Sequence, residues 1–253
     1  LYFEVTLNNH FKISVAQISS AKGDVSANIK THLDAVKKAA DSGISYIVFP
    51  ELSLTGYEPQ LSPELAFSNN DPRITPLKEA AVYHKINIVA GAPLKIGNLL
   101  YIGEFIFMPD GHVETYSKMN LHPGEEIYFS AGKNYHSVSF GKLKIFNAIC
   151  ADTNNPKHIE ACADMGASVY IAGVLISAEG YDVDTPKLER YAEKFDLLVA
   201  MANHNKPTGG WTPTGKSAIW DSSGLIAAAD RTQNALVVAE YSSSGLNGAI
   251  IAI

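Results

Sequence analysis

The residue in this chain best suited to chemistry is a cysteine at the end of an apolar run. Cys150 closes the stretch Leu-Lys-Ile-Phe-Asn-Ala-Ile-Cys, with Asp152 two positions on and helix-start residues at Asn154, Asn155 and Pro156. A buried strand would fix such a thiol in place, and helical N–H groups nearby favour the thiolate. A cysteine hydrolase needs two further groups. A base must take the thiol proton, because the thiol is mostly protonated near neutrality. A donor or cation must meet the oxyanion that develops on the attacked carbon. Glu51, directly after Tyr-Ile-Val-Phe-Pro, fits the base, and Lys118, at the head of a polar aperiodic run, fits the cation. Spacing alone leaves open whether the three meet.

Other chemistries find less support. Cys162 shares a helical face with Ile159 and Met165, which reads as core packing. The eight histidines show neither His-x-His nor His-Glu-x-x-His spacing. No Gly-x-Ser-x-Gly elbow is present. Gly210-Trp-Thr-Pro-Thr-Gly215-Lys216-Ser217 does match a phosphate-binding loop, the competing reading from another functional class. A genuine one joins a strand to a helix, whereas Ser-Ala-Ile-Trp followed by Asp-Ser-Ser-Gly reads as strand and turn. Residues 218–253 are also too few for the remainder of a nucleotide-binding sheet.

The elements that must position these residues follow from periodicity. Strands are expected over 12–17, 45–49 and 86–90. A hairpin over 99–108 and 113–117 turns at Pro109-Asp110-Gly111. Helices are expected over 28–42, 72–84, 156–165 and 186–195, the first with Ile29, Leu33, Val36 and Ala40 inward. Further strands fall at 143–150, 168–172, 197–202, 217–220, 225–229 and 235–241. Strand–helix–Gly–strand occurs at 12–49 and again at 143–172. No Pro/Gly/Ser-rich linker intervenes, so residues 11–253 read as one domain. The alternation predicts two packed sheets with helices outside. The chain opens at Leu1, and Leu-Tyr-Phe-Glu resembles the remnant of a protease-cleavage tag, so residues 1–10 are set aside.

Three segments carry a family resemblance: Ile-Val-Phe-Pro-Glu51-Leu-Ser-Leu-Thr-Gly-Tyr, Tyr-Ser-Lys118-Met-Asn-Leu-His-Pro, and Phe-Asn-Ala-Ile-Cys150-Ala-Asp152. Val199-Ala-Met-Ala-Asn203 and the run from Gly215 to Gly224 add to it. In this order and spacing the chain resembles the carbon–nitrogen hydrolase family, or nitrilase superfamily, over roughly residues 11 to 241. The resemblance implies a four-layer αββα sandwich of two mixed sheets, with no metal or organic cofactor. It implies a triad of Glu51 as base, Lys118 as oxyanion holder and Cys150 as nucleophile. A second glutamate follows the lysine in the family, and Glu125 fits that place better than Glu126. Tyr57 and Asp152 are expected to touch substrate.

The implied activity is cleavage of a small-molecule amide through a cysteine thioester, giving an acid plus ammonia or an amine. Acyl transfer or nitrile hydrolysis on the same fold is the alternative. Nitrile hydrolysers carry Trp-Glu after the cysteine, and Ala151-Asp152 here points to amides. An arginine common shortly after that Asp is missing, which leaves substrate choice open. Selectivity is expected in loops 52–63, 119–137, 174–184 and 204–214. The chain ends soon after the last expected strand, so any C-terminal arm for oligomer contacts should be short or absent. Members usually self-associate, so a dimer is expected.

The bulk numbers agree with a soluble enzyme of small molecules. Of 253 residues, 46% are hydrophobic and 18% charged, and a net charge of −6 gives no support to nucleic-acid or anionic-membrane binding. No apolar run reaches the roughly 18–20 residues of a membrane span. Two cysteines without a secretory signal point to the cytoplasm.

Overall fold

The computed structural model describes residues 11–242 and 245–253, and the tag-remnant expectation for 1–10 lies outside them. The chain begins β1 (Phe11–Gln17), α1 (Val25–Asp41), β2 (Tyr46–Val48), a one-turn α2 (Ser62–Leu65), α3 (Thr75–His84) and β3 (Asn87–Ile96). It continues through β4 (Leu99–Phe107), β5 (Val113–Ser117), β6 (Ser137–Phe140), β7 (Leu143–Ile149), α4 (Pro156–Asp164) and β8 (Val169–Val174). The last elements are α5 (Ala178–Phe195), β9 (Leu198–Asn203), β10 (Ala218–Asp221), β11 (Gly224–Ala228), β12 (Ala235–Ser242) and β13 (Gly245–Ala252).

These strands form a seven-stranded sheet, β13-β12-β1-β2-β3-β4-β5, and a six-stranded sheet, β11-β10-β9-β8-β7-β6. Each is built on three parallel strands, β1-β2-β3 and β7-β8-β9, with antiparallel wings. Parallel neighbours need a crossover, and the helices α1, α3, α4 and α5 supply it. The echo read at 12–49 and 143–172 is thus one crossover in each sheet.

Central strands of both sheets are apolar on both faces, and alternate residues enter different cores. Ile145 and Ile149 of β7 point between the sheets, while Phe146 and Ala148 meet α4 and α5. Tyr46 and Val48 of β2 likewise face the other sheet, while Ile47 and Phe49 meet α1 and α3. Three apolar layers therefore separate four layers of structure, the αββα sandwich. Among the described residues no helix is long and apolar enough to cross a membrane.

Several boundaries differ from expectation for identifiable reasons. The α1 stripe is rotated toward His32, Ala35 and Ala39, with Leu33 and Ala40 half-buried. His32 is tolerated inside because both ring nitrogens are bonded. Its Nδ1 donates to the Asn28 carbonyl at 2.7 Å, so its Nε2 accepts from the Ser53 hydroxyl at 2.9 Å. Helix α5 starts at Ala178, not at Pro186, so most of the expected loop 174–184 is helical. Ser177 caps it by accepting from Gly180 N, and Pro186 sits inside the helix. The proline suggested a start and masked the earlier cap. Strand β3 continues to Ile96, and β6 and β13 were not expected; β13 pairs along the whole of β12. Beyond the last expected strand the chain thus adds an edge strand.

An inward carboxylate breaks the apolar rule. On β4, Ile102 and Ile106 enter the core between the sheets, and Glu104 lies between them with 1% exposure. Neither carboxyl oxygen has a hydrogen-bond partner among the described residues. Burial, then the charges of Asp152 and Glu51, push its pKa well above the ordinary carboxylate range. An acid raised in the folded state keeps its proton after the unfolded chain has lost it. Its stability contribution is complete below the unfolded value and drains away as pH rises toward the folded one. Glu104→Gln is expected to flatten the fall in Tm between about pH 5 and about pH 8. Thermal denaturation across that range checks this; a variant profile parallel to the parent's would assign the slope to other groups.

Candidate active site

The site is built where strands of both sheets end. Beyond β2 the chain turns tightly through Pro50 and Glu51, with Ser53 N donating to Pro50 O at 3.1 Å and Leu52 held at φ +51°. Backbone approaches this turn from two sides. A Cβ on Gly91 of β3 would lie 2.4 Å from Leu52 N, and one on Gly173 of β8 would lie 2.6 Å from Phe49 O. Only glycine admits such contact. From the loop after β9, His204 Nε2 donates to the Glu51 carbonyl at 2.7 Å. Burial lowers His204 to about 4, so the ring stays neutral at ordinary pH.

Lys118 follows β5 directly and is fully buried. Its ammonium donates to Glu51 Oε1 at 2.7 Å and to Glu125 Oε1 at 2.8 Å. Glu125 starts a short 3-10 turn, Glu125–Ile127, and is buried by three further constraints. Tyr57 OH donates to its Oε1 at 2.7 Å, His122 N donates to its Oε2 at 2.7 Å, and the turn places Phe129 N on its carbonyl. Glu126 points outward and accepts from Gly124 N. Of the two glutamates, Glu125 is the one that meets the Lys118 ammonium.

Cys150 does not end the strand. β7 stops at Ile149, and Cys150 opens a 3-10 turn, Cys150–Asn154, at φ +43°. A left-handed conformation at a non-glycine residue is strained, and the surroundings must hold it. Asp152 does so. Its Oδ2 accepts from Ile149 N at 3.0 Å and Tyr116 OH at 2.7 Å. Its Oδ1 accepts from Met119 N at 3.1 Å, Asn120 N at 2.7 Å and Asn120 Nδ2 at 2.9 Å. With zero exposure, Asp152 does not reach the cavity, which corrects its expected contact with substrate. It instead ties the backbone before Cys150 to the backbone after Lys118.

The charges act on one another in low dielectric. Burial raises the Glu51 carboxyl to about 7, with Lys118 drawing it back and Glu125 raising it further. Burial and the Glu51 charge push the Cys150 thiol well up, against the pull of Lys118. The expectation that helical N–H groups favour a resting thiolate is corrected: the thiol is neutral and donates to Leu175 O at 3.6 Å. Burial acts to lower Lys118, but the charges of Glu51 and Glu125 outweigh it, so the ammonium is kept. Glu51 Oε2 has no hydrogen-bond partner among the described residues.

These groups open on a cavity of about 300 Å³ lined by Glu51, Tyr57, Glu125 and Cys150. Its remaining wall includes His122, Asn154, Ser177, Gly180, Asp184 and Trp211. Tyr57 thus lies where a substrate would. The phosphate-loop match does not share this geometry. β10 rather than a helix follows it, Asn203 Nδ2 bonds the Gly215 carbonyl at 2.8 Å, and a Cβ on Gly215 would lie 2.4 Å from Arg231 O. The run Gly210 to Ser217 is irregular chain, exposed at Gly210–Thr212 and buried around Gly215, that leads into β10, and the phosphate-binding reading is dropped.

The family profile for carbon-nitrogen hydrolase matches residues 12–248. The chain belongs to the carbon–nitrogen hydrolase family. It is 29% identical over 237 residues to the glutamine-dependent NAD(+) synthetase of Thermotoga maritima, covering 85% of this chain and 39% of that protein. It is 27% identical to an (R)-stereoselective amidase of a Pseudomonas species, covering 63% and 58%. The 2-oxoglutaramate amidase of Bacillus subtilis is 29% identical, covering 77% and 72%. The chain thus spans less than two thirds of the first two of these relatives. An amidase from Nesterenkonia sp. AN1, solved with the acetamide moiety of fluoroacetamide added at its active-site cysteine, superposes with TM-score 0.85 at 22% identity, covering 93% and 92%.

Sequence reasoning missed His204, Gly173 and Asp184, whose contributions depend on which strand ends meet. An Asn203-His204 pair at the end of an apolar strand was the available signal. Asp152→Ala leaves buried donors unpaired on both sides of the site. It is expected to cost at least about 3 kcal/mol of stability, read by denaturant unfolding, and to abolish activity. A fully stable variant would show that other contacts hold the Cys150 turn.

Proposed function

We propose that this enzyme is an amidase that hydrolyses a small-molecule amide through a thioester on Cys150. The observation that carries the reading is the Lys118 ammonium, bonded at 2.7 and 2.8 Å to Glu51 and Glu125 beside the thiol. The amidases among its relatives support it.

As the thiol attacks the amide carbon, Glu51 takes its proton. A base poised near 7 is half-ionised at neutrality, which suits it to accept and then return a proton. Negative charge moves from the thiol to the carbonyl oxygen, where Lys118 meets it in a water-poor site. The C–N bond then breaks and Glu51 gives its proton to the leaving nitrogen, releasing ammonia or an amine. Water, deprotonated by Glu51, attacks the thioester. Its oxygen stays with the acyl group as a carboxylic acid, and Cys150 recovers its proton. Glu125 holds the far side of the ammonium throughout, itself fixed by Tyr57.

Two outcomes are expected. Cys150→Ala should lower ammonia release from a panel of amides by at least about a thousandfold; release that persists removes the thiol from the mechanism. Testing nitriles alongside separates the nitrile alternative. In addition, kcat/KM should rise with pH through an apparent value near 7, because protonated Glu51 cannot accept the thiol proton. That value belongs to the coupled Glu51–Lys118–Cys150 group. A flat profile from about pH 5.5 to about pH 8.5 would count against Glu51 as base.

A further inference from the structure

The cavity is unusual in its charge. Among its lining residues are three carboxylates, Glu51, Glu125 and Asp184, and Lys118 offsets the first two. Asp184 comes from α5 and belongs to no part of the triad. Lys187 holds its Oδ1 at 2.8 Å and reaches Asn154 Oδ1 at 2.9 Å, yet Lys187 is not in the lining. The other oxygen, Oδ2, lies outside that bond. Lys187 offsets part of the Asp184 charge, and solvent reaching both side chains screens the pair.

The helix is opened to expose that oxygen. Residues four apart share a helix face, and the residue four before Asp184 is Gly180, a lining residue without a side chain. A Cβ there would lie 3.8 Å from Asp184 Oδ2 and 3.4 Å from Ile176 Cγ2, within the gap between the carboxylate and the preceding loop. Glycine at this first-turn position leaves that space empty. Its presence here keeps a path to Asp184 clear. The path starts near the nucleophile: Leu175, whose carbonyl meets the Cys150 thiol, and Ser177 belong to the same wall. An acyl group bonded to the Cys150 sulfur extends along it. Tyr57 and Trp211 add aromatic faces to the lining, which attract a cation and do nothing for an anion.

We infer that the site selects amides whose acyl chain carries an ammonium group, with Asp184 as the specificity-determining residue. This rests on the amidase reading and adds the charge of the substrate. A substrate carboxylate meets like charge in this cavity, and like-charge juxtaposition is costly.

Three amides with the same three-methylene spacer test it: 4-aminobutanamide, pentanamide and glutaramate, ending in ammonium, methyl and carboxylate. Ammonia release should rank them in that order, with kcat/KM for the cation about tenfold above the neutral amide. The difference should lie mainly in KM, because the ammonium is bound alike in ground and transition states. In Asp184→Asn the cation-to-neutral ratio should collapse toward one. In the unaltered protein the ratio should shrink with added salt, a readout that does not depend on the variant folding. Equal use of all three, a preference for glutaramate, or a ratio unchanged in Asp184→Asn overturns the inference and leaves the amidase reading standing. Release from none of the three overturns the amidase reading and the inference with it.

Discussion

A lysine ammonium without water is the constraint on which the rest of this molecule depends. Taking Lys118 out of solvent costs several kcal/mol, and only well-placed opposite charge repays it. Glu51 and Glu125 both do so below 3 Å, so the Glu51 turn and the 118–125 segment, distant in sequence, must meet within one hydrogen-bond length. That requirement explains features that would otherwise be unrelated. Gly91 and Gly173 let both sheets close on the Glu51 turn. Asp152 ties the Lys118 segment to the Cys150 turn. Tyr57 gives Glu125 a donor that does not compete for charge.

The proton inventory follows from the same arrangement. Tyr57 is pushed far above its ordinary range, chiefly by burial, and His32 and His204 are lowered to about 4 by burial. These groups therefore hold fixed protonation states around neutrality. Glu51, at about 7, is the group there free to change. Near Glu51, a tyrosine and two histidines with settled protonation are poor acceptors for a proton that Glu51 takes up.

Much of this was legible in the sequence because the reactive residues sit directly after strands. Tyr-Ile-Val-Phe before Pro50-Glu51, and Ile-Phe-Asn-Ala-Ile before Cys150, announce both a buried strand and a side chain at its mouth. The layered fold followed from alternation and from the echoed crossovers. Other features were hidden because local signals competed with tertiary ones. Pro186 looked like a helix start, so the wall carrying Gly180 and Asp184 was read as loop. Asp152 lies two residues from the nucleophile, which suggested substrate contact, whereas its burial reflects five donors drawn from three segments. Glu104 alternates correctly as an inward position, and no pattern in sequence marks the absence of partners.

The location of the site follows from strand direction. β1, β2 and β3 are parallel, and β5 runs the same way as β3 because each is antiparallel to β4. In the second sheet β7, β8 and β9 are parallel. The two sheets are aligned in the same sense, since Ile18 beyond β1 bridges His204 beyond β9 in parallel. The carboxyl ends of all these strands therefore open at one end of the sandwich. Glu51 follows β2, Lys118 follows β5, Cys150 follows β7, Ser177 follows β8 and His204 follows β9. Ligands in open α/β sheets bind outside the carboxyl ends of strands because the loops there converge. Here two sheets contribute such ends to one cavity. The first supplies Glu51 and Lys118, and the second supplies Cys150 and the wall along which, in the proposed mechanism, an acyl group lies. The proposed chemistry therefore draws on both sheets, while the α5 wall belongs to the second alone and lies apart from the buried charges around Lys118.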